Sequence, residues 1–474
     1  MRRTKIVATL GPATDDAQLL ESLIREGVDV FRLNSSHGTP ESHEKLVAKV
    51  RRASESAGRE VGILQDLAGP KIRIGDLEGT DVLRLGEGEA WLLARDPGPV
   101  REGVLTASLP GLADALRPDH PVLLADGRLE LRVEGRDEKG ARLRVTRGGE
   151  LRGRAGINLP LTSLPVASLT DKDRADLEHG ARLGVDMVGL SFVRHPDDVI
   201  STRDLAADRG LDLFLIAKIE KPEAVANLEA ILETSDGVMV ARGDLGVEVP
   251  AEDVPLLQKR IIRAANERRI PVITATQMLE SMIHTPVATR AEASDVANAI
   301  FDGTDAVMLS GETAVGGYPL EAVRTMARIA GKADAPMQEE WHRHRSPRRE
   351  LLPPEAVSRA ASRAAADVSA RAIVVYTESG ATARLLATQR PGVPILALSP
   401  HLTTVRRLRL SWGVYPRVMP RVERLAEMLD VGERILIEAG QVRPGDRVVV
   451  VSGTRAANRG GTNMLKILTV GEAE

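Results

Sequence analysis

Cysteine is absent from all 474 residues, which excludes disulfides, zinc–thiolate sites and thiol nucleophiles. Aromatic residues are scarce at 2%, so the core has to be assembled from Val, Leu, Ile, Ala and Met. A dominant charge of one sign is also missing. The 64 basic and 67 acidic residues leave a net charge of −3, and no overall basic field invites nucleic acid. Nor is there a run of about 18 apolar residues, so no membrane-spanning helix is expected. The short apolar stretch after Arg2 and Arg3 is closed by Gly11-Pro12 and Asp15-Asp16, too early for a secretory leader. The missing thiols fit a reducing, cytoplasmic setting.

What is present is rhythm. Short β-rich runs at 5–9, 28–33, 61–65, 186–191, 213–219, 237–241, 271–274 and 306–309 alternate with amphipathic stretches such as DAQLLESLIREG and PEAVANLEAILETS. Strand–helix alternation means parallel strands with helices outside, and eight such units predict a (β/α)8 TIM barrel. The gap between the third and fourth runs is too long for one crossover. From 72 to 155 the pattern changes to apolar–polar alternation broken by Asp126-Gly127 and Gly148-Gly149, the signature of antiparallel β. The expected organisation is therefore a barrel over 1–71 and 156–335, interrupted by an all-β lid, itself a small β-barrel, over 72–155. A polar linker over 336–353 follows, then a C-terminal α/β domain over 354–474. That last domain carries strands expected near 372–376, 395–398, 447–452 and 465–470. The basic runs RRLRL (406–410) and HRHRSPRR (342–349) read as solvated surface or subunit contacts.

In a (β/α)8 barrel the chemistry gathers at the carboxyl ends of the strands. There the sequence places Arg32, Asn34, Ser36 and His37 after the second run, and Asp66, Leu67, Lys71 and Arg73 after the third. Lys218 and Glu220 follow the fifth, Arg242, Gly243 and Asp244 the sixth, Thr276 the seventh, and Ser310 the eighth. One charged residue at a strand end is ordinarily a solvated loop residue or a helix cap, and Asp244 or Lys218 alone would be read so. A whole rim of them would be costly unless matched by a metal or ligand. Two carboxylates from neighbouring strands, Glu220 and Asp244, suit a hard cation such as Mg²⁺ that keeps substrate oxygens and water in its shell. Arg32, Arg73 and Lys218 suit a phosphorylated or carboxylated substrate. No Ser–His–acid set is apparent. The residues by themselves point to metal-assisted chemistry by positioning and charge.

The motifs TKIVATLGPAT, FRLNSSHG, QDLAGPKIRIG, KIEKPEAV, SDGVMVARGDLGVEVP, ATQMLESM and TRAEASDVANAIFDGTDAVMLSGETAVGGYP resemble, in order, those of the pyruvate kinase family. The resemblance implies phosphoryl transfer from phosphoenolpyruvate to ADP, giving pyruvate and ATP, in a homotetramer with a regulatory C-terminal domain. It implies that Glu220 and Asp244 ligate one Mg²⁺, a second arriving with the nucleotide. Gly243 and Asp244 amides with Thr276 would hold the substrate carboxylate, and Lys218 the transferring phosphoryl group and the enolate. Arg32 and Arg73 would hold phosphates, and Asn34 and His37 would line the nucleotide side. Thr276 and Ser310 would relay the proton that completes pyruvate.

Two departures stand out. The family's monovalent-cation site corresponds here to Asn34, Ser36, Asp66 and the carbonyl of Leu67, where the family has Thr. The adjoining motif reads GPKIR, whereas potassium-dependent members resemble GPEIR. Lys71 places a tethered ammonium there, so K⁺ is expected not to be required. The lid lysine of some members falls at Ala155, beside Arg154, which is the candidate replacement. In the C-terminal domain, Thr377, Ser379, Gly380 and Thr382 form a Ser/Thr/Gly loop before a helix. This is either a cap or a cradle for a phosphorylated effector, with 460–463 expected to close the same pocket. A metal-dependent lyase on a TIM barrel would need neither the lid nor the phosphate cations, and a non-catalytic homologue would have lost one of these groups.

Overall fold

The computed structural model describes residues 2–472 except 163, 165, 344–349, 423 and 454–460, and of 336–343 it describes the backbone alone. Eight parallel strands close into a barrel: β1 (Lys5–Thr9), β2 (Val30–Asn34), β3 (Gly62–Asp66), β4 (Met187–Leu190), β5 (Leu215–Ile219), β6 (Gly237–Ala241), β7 (Val272–Ala275) and β8 (Ala306–Leu309). β1 pairs with both β2 and β8, which completes the ring. Most of these strands are buried along their whole length, because one face meets the outer helices and the other the lumen. Ile6 and Ala8 pack outward under helices, while Val7 points inward with Val30, Leu64, Met187, Ile216, Met239, Ile273 and Met308. With few aromatics available, methionine and β-branched side chains fill the lumen.

Strand boundaries fall within a few residues of the sequence reading, and one shift matters. β2 and β3 run on to Asn34 and Asp66, which are opposite each other in register. Their side chains therefore sit on the rigid ladder rather than in the following loops. Downstream of β2, Thr39 and Ser42 form a reciprocal cap with Pro40 in the first turn, which starts the next helix at once and fixes the 35–38 loop at both ends.

The inserted segment forms a six-stranded sheet and a two-stranded sheet rather than one closed β-barrel. Its pairing extends past 155, since Ile157–Asn158 joins the strand Pro121–Leu124. The helix Pro319–Arg343 continues through 336–343, where a linker was expected; Met337, Gln338, Glu339 and Glu340 are good helix formers and carry it past Pro336.

The C-terminal sheet has the order β11–β10–β9–β12–β13, from β9 (Ala372–Tyr376), β10 (Ile395–Ser399), β11 (Val414–Val418), β12 (Arg447–Gly453) and β13 (Thr462–Thr469), the last antiparallel. β11 was not anticipated, and the reading of 406–410 as solvated surface is corrected. Leu410 is fully buried and joins the lumen cluster at the closed, amino-terminal end of the barrel. Arg406 pairs with Glu60 at 2.9 Å and Arg407 with Asp212 at 2.9 Å. The run is amphipathic: Leu408 packs in the C-terminal core and Leu410 in the barrel floor, while Arg406 and Arg407 tie down the rim. Trp412 and Arg390 are likewise wholly buried at this seam, with Arg390 held by Asp305 at 2.9 Å.

Candidate active site

The open end of the barrel and the lid enclose a cavity of about 740 Å³. Lys71, Arg73, Arg128, Arg152 and Arg154 surround it, and Gly243, Asp244, Thr276 and Gln277 form its floor. The surplus of cations makes it an anion-attracting cleft.

Asp66, at the end of β3, is buried and ties two strand-end cations together. Arg32 Nε donates to its Oδ2 at 2.6 Å, and Lys218 Nζ lies 3.1 Å from its Oδ1. Burial pushes the Asp66 carboxyl up, but the charges of Lys218 and Arg32 outweigh this and hold it below the usual carboxylate range. Lys218 also contacts Glu220 Oε1 at 2.7 Å and donates to Ser191 Oγ at 2.7 Å. Burial alone would lower the Lys218 ammonium; Asp66, Glu220 and Asp244 reverse that and raise it above its ordinary value. It is thus a fixed, buried cation.

Glu220 receives the Phe192 amide on Oε2 at 3.0 Å. Burial, and the like charge of Asp244, push its carboxyl up despite Lys218. A buried carboxylate repelled by an exposed one beside it is a site a dication would relieve. Among the described residues, no three His, Cys, Asp or Glu groups converge into a closed metal cage. Two protein carboxylates with open positions fit a hard cation completed by substrate oxygens and water.

Gly243 N donates to Thr276 Oγ1 at 2.7 Å, and Thr276 Oγ1 donates to the Ala275 carbonyl at 2.7 Å. A Cβ at Gly243 would lie 3.3 Å from Thr276 Oγ1, so glycine is what permits the close approach. Ser310 Oγ is buried with no hydrogen-bond partner among the described residues. Its backbone amide is held by Glu312 Oε2 at 2.7 Å.

Of the four groups of the expected monovalent site, three already accept from a protein donor. Asn34 Oδ1 accepts from the Ser36 amide at 3.1 Å, Asp66 from Arg32, and the Leu67 carbonyl from Ser191 Oγ at 2.7 Å. Lys71 lies on the cavity wall. His37 stands near it; burial first, then Lys71, Arg73 and Arg32, hold its imidazole below the ordinary histidine range. Arg73 is anchored to the Arg154 carbonyl at 3.1 Å, and the Arg154 guanidinium is turned onto Asp76 at 2.8 Å. Sequence reasoning passed over Ser191 and Phe192, and placed Arg242 at a strand end without giving it a role. All three act through contacts that only the fold reveals.

In the C-terminal domain, Thr377, Glu378, Ser379 and Thr382 line a second cavity of about 70 Å³ with Ser452, Gly461 and Thr462. Gly380 N donates to Thr377 Oγ1 at 2.9 Å, and Thr382 Oγ1 meets Thr462 Oγ1 at 2.5 Å. Of the expected 460–463 closure, Gly460 lies outside the described residues; Thr462 is in place.

Comparison with known proteins agrees with this domain architecture. Residues 1–323 match the family model "Pyruvate kinase, barrel domain", and 355–468 match "Pyruvate kinase, alpha/beta domain". The chain is 45% identical over 472 residues to "Pyruvate kinase 2" of Synechocystis, covering 99% of this chain and 79% of that one. It is 44% identical over 471 residues to a pyruvate kinase of Methylorubrum extorquens, covering 99% and 98%. To a pyruvate kinase of Geobacillus stearothermophilus it is 42% identical over 478 residues, covering 99% and 81%.

Proposed function

Because this chain belongs to the pyruvate kinase family of phosphotransferases, we propose that it moves the phosphoryl group of phosphoenolpyruvate onto ADP with Mg²⁺, without needing K⁺. The observation that carries the reading is the buried Lys218 ammonium, fixed between Asp66 and Glu220 beside Asp244. Breaking the bond between phosphorus and the C2 oxygen leaves an enolate, while a β-phosphate oxygen of ADP forms the new bond to phosphorus. A preorganised cation at that point stabilises the developing charge without reorganisation.

The other groups take supporting parts. Glu220 and Asp244 would hold one Mg²⁺, which when bound neutralises charge on the phosphoryl and enolate oxygens. The Gly243 and Asp244 amides and the Thr276 hydroxyl would receive the carboxylate, which displaces the Gly243–Thr276 hydrogen bond seen here. Arg32 and Arg73 would meet phosphates, with Asn34 and His37 toward the nucleotide. The Ser310 hydroxyl, without a partner among the described residues, would pass a proton toward C3 together with Thr276. Lys71 would replace K⁺, in keeping with the protein donors already engaging the Asn34, Asp66 and Leu67 oxygens. Arg154 stands at the lid edge on Asp76 and would have to leave it to reach the nucleotide. The loop at 377–382 would receive a phosphorylated effector. A homotetramer, a second Mg²⁺ with the nucleotide and a cytoplasmic setting belong to the same reading.

Phosphorus NMR tests the reaction directly. With phosphoenolpyruvate, ADP and Mg²⁺ all present, the phosphoenolpyruvate signal should give way to those of ATP, and omission of any one should stop the change. Persistence of the donor signal in the complete mixture refutes the reading.

A further inference from the structure

Thr276 and Gln277 both adopt left-handed backbone conformations, with φ of +63° and +55°. Such a conformation is costly for any residue with a Cβ and most of all for a β-branched one, so two in succession have to be held in place by their surroundings. One side chain does so. Arg242 is 8% exposed, and its Nη2 donates to the Thr276 carbonyl at 2.8 Å, the Gln277 carbonyl at 3.2 Å and Met278 Sδ at 2.7 Å. Its Nη1 is anchored on Asp295 at 2.8 Å and Gln258 at 3.3 Å. The same residue precedes Gly243 and Asp244 on the backbone. Arg242 thus couples the end of β6 to the strained turn after β7, and the Gly243 N–Thr276 Oγ1 contact at 2.7 Å spans the two.

We propose that Arg242 is a positioning residue: its guanidinium clamps the strained Thr276–Gln277 turn so that the Thr276 hydroxyl and the Gly243 amide form one receptor for the substrate carboxylate. The proposal rests on the phosphotransfer reading above, and its sign is specific. The clamp faces the carboxylate end of phosphoenolpyruvate and not the nucleotide. Lysine cannot replace it, because an ammonium lacks the planar fork needed to reach two carbonyls and a carboxylate together. Glycine at 277, which accepts positive φ without steric cost, should make the clamp partly dispensable.

Two readouts test it. Steady-state kinetics of Arg242→Lys should show kcat/KM for phosphoenolpyruvate falling about 100-fold, the scale of a small misplacement at the reacting end, with KM for ADP unchanged. Adding Gln277→Gly should return roughly tenfold of that loss, the scale of one relieved left-handed residue. Asp295→Asn, which keeps the guanidinium but removes its half-exposed anchor, is the second variant should Arg242→Lys not fold. It should show a smaller loss of the same kind, also reversed by Gln277→Gly. Amide hydrogen exchange at 278–279 should accelerate in each single variant and slow again with Gln277→Gly. This second readout needs no turnover. A wild type without activity therefore contradicts the phosphotransfer reading, while unchanged exchange overturns the clamp. Equal losses toward both substrates, or no recovery with glycine at 277, also overturn it.

Discussion

Asp66 shows how single residues set the character of this site. It is buried, yet held ionised by Lys218 and Arg32, and so keeps both cations together at the carboxyl ends of the strands. Glu220 and Asp244 are the complementary case, a like-charged pair whose repulsion a dication would relieve. Asp244→Asn is expected to weaken Mg²⁺ affinity roughly 10- to 100-fold, the scale of losing a metal-site contact, as measured by the Mg²⁺ dependence of the rate. Retained affinity would move the metal elsewhere. Lys71→Glu should make activity depend on added K⁺, because it exchanges a tethered cation for a carboxylate; a variant indifferent to K⁺ would remove Lys71 from that role. These residues could be read from the sequence because each is charged and follows a β-rich run. Ser191 could not, and of Arg242 only the strand-end position was legible, not its role. At the turn its guanidinium meets carbonyls and a thioether, which leave no pattern in a sequence.

At the scale of elements, the eight strands and the inserted β segment were legible from hydrophobic period alone, since buried parallel strands and alternating antiparallel strands read differently. The segment 402–418 was not. Its arginines suggested solvent, and short amphipathic pieces are ambiguous until a partner surface is known. The structure supplies that partner: Leu410 enters the barrel floor beside Val7, Val30 and Met308. Leu410→Ala should cost about 2–5 kcal/mol, the range for emptying a packed leucine site, seen as a lower urea midpoint. A change within error would mean that the C-terminal domain is not coupled to the barrel through this side chain.

For the whole molecule, the seam between barrel and C-terminal domain buries charge as well as leucine. Lys5 Nζ donates to the Val414 carbonyl at 2.5 Å and lies 4.6 Å from the centre of the Tyr415 ring. Burial, with Arg409, Arg2 and Arg59 opposing Asp29, draws its ammonium down to about 7. Its unfolded value is the ordinary lysine one, so between these two limits the unfolded chain holds a proton that the folded chain has released. Stability should therefore rise with pH across that window, and the burial penalty should be largest below about pH 7. Lys5→Met isolates the effect: the stability of the variant minus that of the wild type should fall as pH is raised from 7 to 10. A difference independent of pH would show that Lys5 stays charged at the seam. Relative placement of domains, unlike strand content, depends on such long-range contacts, and no local pattern in the sequence announced it.

The most direct measurement is the initial rate of pyruvate formation from phosphoenolpyruvate, ADP and Mg²⁺ in K⁺-free buffer, repeated with K⁺ added. The account expects substantial and equal rates in both. Activity in the K⁺ buffer alone would keep the reaction and overturn the role given to Lys71, and no pyruvate in either buffer would contradict the account at its centre.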